Sequence, residues 1–229
     1  MALLLVSALA ITGCERPVPV GAPDPGERVV TGPLQRRTGA RLIVPDAASR
    51  IHVVLATLPG LLYRITTPGR SGLAPSVTRR GGTVLVALRP TGADGAHELR
   101  IVLNRAVRWD LRLPAGAGEQ RLDLDRGRVT RLVVGPSGLV ELRLPAPVGT
   151  VPLVLTGSIG TLTVSTPRTT PLRLQLAGGV GSALTPWTAD EELPRATVLT
   201  PAIWPTARHR YWLRARSPIG LLTLRRDPR

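Results

Sequence analysis

Four glycine turns recur through the second half of this chain: GPSG at 135–138, GSIG at 157–160, GGVG at 178–181 and a degenerate SPIG at 217–220. Their last glycines fall at 138, 160, 181 and 220, which gives steps of 22, 21 and 39 residues. Two and four residues after these glycines come Val140 and Leu142, Leu162 and Val164, Ala183 and Thr185, and Leu222 and Leu224. Leu155, Leu176 and Ala215 precede three of the turns in one common position. A unit of strand, glycine turn and strand cannot bury its own apolar side, but stacked units bury one another's. The spacing predicts a β-solenoid-like stack of short strands, with a β-sandwich of hairpins as the alternative. The long last step holds an insertion, from Thr185 to about Ala207, that carries Trp187 and Trp204.

The rest of the chain agrees in class. Segments such as SRIHVVL from Ser49, TVLVAL from Thr83, ELRIVL from Glu98 and PLRLQL from Pro171 alternate apolar and polar residues with period two. That is the pattern of a half-buried strand. TADEEL, from Thr188, is a mild candidate for a single helical turn. The expectation is an all-β protein in three parts. Residues 1–13 are a signal peptide, 14–39 a tether rich in proline and glycine, and 40–229 one β-repeat domain. No comparable period is visible between residues 40 and 106.

The first fourteen residues, an apolar run closed by Ile11, Thr12, Gly13 and Cys14, resemble the lipobox of bacterial lipoproteins. The run is about half of the ~20 residues that span a bilayer as a helix, and fits a signal-peptide core. The resemblance implies lipid attachment at Cys14, anchoring to a membrane through N-terminal acyl chains, and an extracytoplasmic location. Cys14 is the only cysteine, so neither an intrachain disulfide nor a paired-cysteine metal site can form.

All 30 basic residues are arginine, and the net charge is +15. A basic domain tethered at a membrane is drawn to anionic lipid or acidic wall polymer, by about 1 kcal/mol per well-placed cation. Nucleic acid, the other usual partner of a basic chain, is excluded by export and by the scarcity of aromatic residues among the arginines. A partner protein is not specified by the sequence.

Two further stretches carry a family resemblance. Leu58-Pro59-Gly60 followed by Leu62, Tyr63, Arg64 and Ile65 is one; Leu103-Asn104-Arg105 leading into Trp109-Asp110-Leu111-Arg112-Leu113 is the other. Together with the glycine turns they resemble the putative-adhesin or toast-rack domains of bacterial envelope proteins, which look related to the C-terminal domain of LiaF-type envelope-stress proteins. The resemblance covers most of residues 50 to 226. It implies a stacked β-strand scaffold acting in interaction, adhesion or envelope-stress sensing, with no active site to carry over.

Catalytic chemistry finds little support. His52, His97 and His209 lack companions at zinc-ligand spacing, so no metal and no cofactor is expected. Glycan cleavage needs two carboxylates on one groove. Asp123 and Asp125 are the best pair, since alternate residues of a strand share a face. The neighbouring Arg121, Arg126 and Arg128 offer a plainer role for them in surface ion pairs. The arginines of the Leu-Arg-Leu segments and their kin (Arg100, Arg112, Arg143, Arg173 and Arg214) occupy outward positions. Coils stacked in register would align several of them as an anion-binding face. Trp204, Tyr211 and Trp212 are expected to cap the last coil. The reading is a non-catalytic envelope module, with a glycan-active enzyme using Asp123 and Asp125 as the alternative.

Overall fold

A computed structural model describes residues 26–227, and side chains there except those of residues 188–190. No helix occurs among the described residues. The chain opens with β1 (Arg28–Pro33), β2 (Gly39–Ile43), β3 (Ala48–Ala56), β4 (Leu61–Thr67), β5 (Leu73–Arg80), β6 (Thr83–Pro90) and β7 (Glu98–Asn104). The middle holds β8 (Arg108–Leu113), β9 (Ala117–Asp123), β10 (Arg128–Val134), β11 (Ser137–Arg143), β12 (Thr150–Leu155) and β13 (Ile159–Pro167). The last third holds β14 (Leu172–Leu176), β15 (Val180–Thr185), β16 (Thr188–Leu193), β17 (Thr197–Leu199), β18 (Arg210–Ala215) and β19 (Ile219–Asp227).

These strands form two sheets. Sheet A runs β1-β4-β7-β3-β9-β11-β13-β19-β15-β16, and sheet B runs β17-β14-β18-β12-β10-β8-β2-β6-β5. Consecutive strands such as β8 and β9, or β10 and β11, lie in opposite sheets, so each pair is one coil. Neighbouring coils pair in parallel and in register: Leu142 lies beside Leu122 on one side and Val164 on the other. The predicted stack is therefore what forms, with its two faces packed together like a sandwich but wound as a solenoid.

The core is the set of inward rungs. In sheet B, Leu42, Leu111, Leu132, Leu153, Leu213 and Leu174 follow one another across six strands, all fully buried. Val140, Leu162, Leu222 and Ala183 do the same in sheet A. At about 25 cal/mol per Å² of apolar surface removed from water, such rungs are the main stabilising term. Ala183 and Thr185 fit this ladder poorly by sequence, yet both point inward and are buried.

The order of coils in space departs from their order in sequence at both ends. The last coil, β18–β19, slots between β12–β13 and β14–β15; the first, β2–β3, lies between β6–β7 and β8–β9. The ends of the stack are covered instead by antiparallel strands, β1, β4 and β5 at one end and β16 and β17 at the other. This placement explains the 39-residue step before Gly220: the insertion carries the chain back past its own end coil.

Two expectations are corrected. The tether does not extend to residue 39, because Arg28–Pro33 forms β1, paired antiparallel with β4. This is an edge strand, where a terminal proline at a register shift costs no ladder bond. The signal peptide, Cys14 and the first part of the tether lie outside the described residues. TADEEL forms strand β16, not a helical turn, because β15 offers it an open edge.

The family-like motif residues hold together the end of the stack formed by the first strands. The Asn104 amide donates to the carbonyls of Leu58 and Leu61 at 2.8 and 2.7 Å, fixing the turn before β4. The buried Trp109 indole donates to the Asn104 carbonyl at 3.0 Å.

Candidate basic face and its surroundings

Sheet B presents to solvent the residues that alternate with the buried rungs. Six adjacent strands, β2, β8, β10, β12, β18 and β14, carry Arg41, Arg108, Arg112, Arg128, Arg131, Arg173, Arg210 and Arg214, and a single carboxylate, Asp110. At about 4.8 Å per strand this face is some 24 Å across. On the other side, strands β7, β3, β9, β11 and β13 carry four arginines (Arg50, Arg100, Arg121, Arg143) and four carboxylates (Glu98, Glu119, Asp123, Glu141). The two faces thus differ sharply in charge.

The five arginines expected on one face divide between two. Arg112, Arg173 and Arg214 lie on sheet B, and Arg100 and Arg143 on sheet A. Within a coil, a strand before the glycine turn belongs to sheet B and the strand after it to sheet A. Arg143 follows its turn, whereas Arg173 and Arg214 precede theirs. Position relative to the glycine was the signal that separates them. Sequence reasoning also passed over Arg108 and Arg131, and read Arg128 as an ion-pair neighbour of Asp123 and Asp125, whereas it lies on β10 of sheet B. Arg108 and Arg128 are direct neighbours across β8 and β10, both exposed, and no carboxylate pairs with either among the described residues. Like charges side by side on a ladder repel.

Asp110 is engaged by its own neighbours. Arg112 donates to both its oxygens at 3.0 and 2.9 Å, and Arg41 donates at 2.8 Å. Burial works against its ionisation, but the two guanidinium groups outweigh it and hold the carboxyl below the usual aspartate range.

At the far end of the face the insertion folds back to make an arginine–tryptophan cluster. The Arg214 guanidinium lies 4.3 Å from the Trp212 ring centroid and that of Arg210 lies 4.1 Å from Trp204. Arg173 stands 5.2 and 5.7 Å from the Trp204 and Trp212 rings, which meet edge to face at 6.5 Å. The Trp204 indole donates to the Tyr211 carbonyl at 2.9 Å, and Arg210 donates to the Trp204 carbonyl at 2.7 Å. The Nε groups of Arg173 and Arg214 are buried and find no acceptor among the described residues. These cations are held by ring faces, not by carboxylates. The expected cap over the last coil is corrected here: Tyr211 is fully buried in the core, its hydroxyl donating to the Pro145 carbonyl at 2.8 Å, while Trp204 and Trp212 lie on the outside of sheet B.

The carboxylates of sheet A are structural in their contacts. Arg50 bridges Glu98 and Glu119 at 2.6 and 2.9 Å. Asp123 meets His52 at 2.8 Å, Arg121 at 3.2 Å and Arg143 at 3.6 Å. The His52 hydrogen bond, joined by the charges of Arg121 and Arg143, prevails over burial and keeps Asp123 below the usual range. Such a carboxyl has no proton to lend as a general acid near neutral pH. Asp125 does not share a strand with it: β9 stops at Asp123, and Asp125 sits exposed in the turn that follows. Glu191 and Glu192 stand exposed on β16. Among the described residues no three His, Cys, Asp or Glu side chains gather as a metal-binding group.

The fold is shared with a solved structure. A putative cell adhesion protein from Clostridium sporogenes superimposes with a TM-score of 0.67 at 13% sequence identity, over 88% of this chain and 99% of that one. At that identity the likeness is one of fold. A putative adhesin from Bacteroides fragilis aligns over 86% of this chain and 96% of its own at 8% identity, but its TM-score of 0.27 supports no argument. No protein-family model and no curated protein matches the chain.

Proposed function

We propose that this chain is a membrane-anchored, extracytoplasmic interaction module of the bacterial envelope, adhesion-like and non-catalytic, that engages an anionic partner through the outer face of sheet B. The observation that carries this reading is the contrast between eight arginines with one carboxylate on six adjacent strands of sheet B and four with four on five adjacent strands of sheet A. A rigid sheet holding exposed cations about 4.8 Å apart offers a repeating anion the same contact many times over. Anionic lipid head groups and acidic wall polymers both have that character. The name of the solved structure that shares this fold agrees with adhesion, and not with an enzyme. Anchoring through acylated Cys14, and kinship with LiaF-type envelope-stress proteins, rest on the sequence resemblances.

The test separates the faces. The full chain carrying Cys14→Ser, which removes the acyl anchor, is mixed with vesicles of phosphatidylglycerol or phosphatidylcholine and with isolated wall polymer, at low and high salt. Salt-sensitive binding to phosphatidylglycerol or polymer is expected, with none to phosphatidylcholine. Charge reversal at Arg108, Arg128 and Arg131 is expected to abolish it, and reversal at Arg100 and Arg143 to leave it in place. Equal losses from the two faces would overturn the reading.

A further inference from the structure

A cleft of about 250 Å³ opens at the end of the stack formed by the first strands, well away from the arginine–tryptophan cluster. Two tight turns border it. One is the β5–β6 hairpin turn at Gly81 and Gly82, whose φ values of 53° and 87° both lie in the left-handed region that favours glycine. The other runs from Leu34 to Arg37, closed by the Arg37 amide donating to the Leu34 carbonyl at 3.1 Å. Its central residues Gln35 and Arg36 also adopt positive φ, 49° and 55°. For residues with side chains that conformation costs about 1–2 kcal/mol each, so the surrounding structure must impose it.

The guanidinium groups of Arg37 and Arg79 border this cleft, above an apolar floor that includes Leu62 and Val84. Arg80, paired with Thr83 and next to Arg79 on β5, belongs to the other face of the hairpin. Among the described residues neither Arg37 nor Arg79 pairs with a carboxylate. Arg79 is oriented by the Gln35 side-chain carbonyl, to which it donates at 3.0 Å. Arg37 lies so close to the hairpin that a Cβ on residue 82 would come within 3.2 Å of its Nη1. Arg37, next to a strained turn, and Arg79, aimed by a neutral partner, have no counter-charge among the described residues and form a site that an anion would complete.

We infer that this cleft binds a phosphate group, as a phosphomonoester or phosphodiester, with Arg37 and Arg79 as its donors. Guanidinium forks match phosphate oxygens two at a time, and a cleft of this size takes a phosphoryl group with a small substituent. The site lies at the β5–β6 edge of sheet B, apart from the arginine face on β2, β8, β10, β12, β18 and β14, and stands or falls independently of the proposed function.

The test titrates the Cys14→Ser full chain with inorganic phosphate, following the amide resonances of Gly81 and Gly82, and measures affinity by calorimetry. Saturable shifts at both glycines are expected. The Arg37→Gln, Arg79→Gln double variant should weaken binding by about tenfold or more. Arg80→Gln, at the exposed end of β5 and on the other face of the hairpin, should weaken it far less. Charge reversal at Arg108, Arg128 and Arg131 should leave it unchanged. Glycerol phosphate and phosphatidylglycerol vesicles form two further arms. Competition by the first identifies a soluble ester as the ligand, and competition by the second alone identifies a lipid head group. Absence of saturable shifts at Gly81 and Gly82, or an undiminished affinity in the Arg37, Arg79 double variant, overturns the inference.

Discussion

Gly160 lies directly over Gly138, such that a Cβ on Gly160 would stand 2.6 Å from the Gly138 carbonyl oxygen. The same relation continues through Gly220 on Gly160 at 2.6 Å and Gly181 on Gly220 at 2.9 Å, and begins at Gly138 on Gly118 at 2.9 Å. Five coils therefore share one glycine column on sheet A, because backbone passes there too closely for any side chain. Gly160→Ala is expected to destabilise the domain by about 1–3 kcal/mol through overpacking against a rigid carbonyl. Gly39→Ala, whose Cβ would meet only the Arg108 carbonyl at an ordinary 3.8 Å, should fall within about 0.5 kcal/mol of the parent. Urea unfolding of the two variants checks the contrast.

Asp110 gives a pH dependence with a definite sign. Its folded value is depressed, so its contribution is fully present above the unfolded aspartate pKa of about 3.9 and fades as pH falls through the lower folded value. Asp110→Asn should cost about 1 kcal/mol at pH near 7 and progressively less in acid. Unfolding curves at neutral and acid pH would show the two proteins converging. A constant gap would mean that the carboxylate's charge is not what matters.

Tyr211 puts a hydroxyl into the core. Burial pushes its phenol well above the ordinary tyrosine range, and the hydroxyl serves the Pro145 carbonyl at 2.8 Å. Tyr211→Phe keeps the ring but leaves that buried carbonyl without its donor, and about 1–3 kcal/mol of stability should be lost. Chemical denaturation measures it; an unchanged midpoint would show that the carbonyl finds another partner.

Trp204 fastens the insertion to sheet B through its indole hydrogen bond and the Arg210 stack. In Trp204→Ala the segment before β18 should open locally, without global unfolding. Limited trypsin digestion should then cut faster at the exposed Arg195 and Arg208, and equal cleavage rates would contradict the assignment.

Removing residues 210–229 is a sharper test of topology. Were the coils stacked in sequence order, this would only shorten the stack. Because β18–β19 is flanked on both sides, its loss strips neighbours from β12, β13, β14 and β15 at once. The shortened chain should show no cooperative thermal transition by circular dichroism.

The legible part of this molecule was its periodicity. Leu-Arg-Leu at 142–144 and 172–174 identified strands because alternation follows directly from the pleat. The spacing of Gly138, Gly160, Gly181 and Gly220 identified coils because the close backbone approach tolerates nothing larger. The fifth member, Gly118, escaped notice because its turn, at 114–117, lacks the G-x-x-G form. The order of the coils was not readable, since Leu162 would fit beside Ala183 of the next coil in sequence as well as it does beside Leu222, which lies between them. β1 was missed for a different reason: an edge strand needs only one partner, and Val29 and Val30 are a faint signal beside so many prolines upstream. The basic face was half legible. Outward orientation follows from alternation, but the division of Arg143 from Arg173 and Arg214 needs the winding of the chain between two sheets. The cleft at Arg37 and Arg79 unites residues 42 positions apart, and nothing in the local pattern of either segment points to the other.

Ordinary repeat arrays gain or lose units at their extremities, since the outermost unit in sequence is also outermost in space. Here the first and last coils are each enclosed, and the outermost positions belong to β1, β4 and β5 at one end and β16 and β17 at the other. Neither end offers a place where a unit could be appended or dropped. The number of turns in this scaffold is fixed by its threading, and so is the extent of the charged surface it displays.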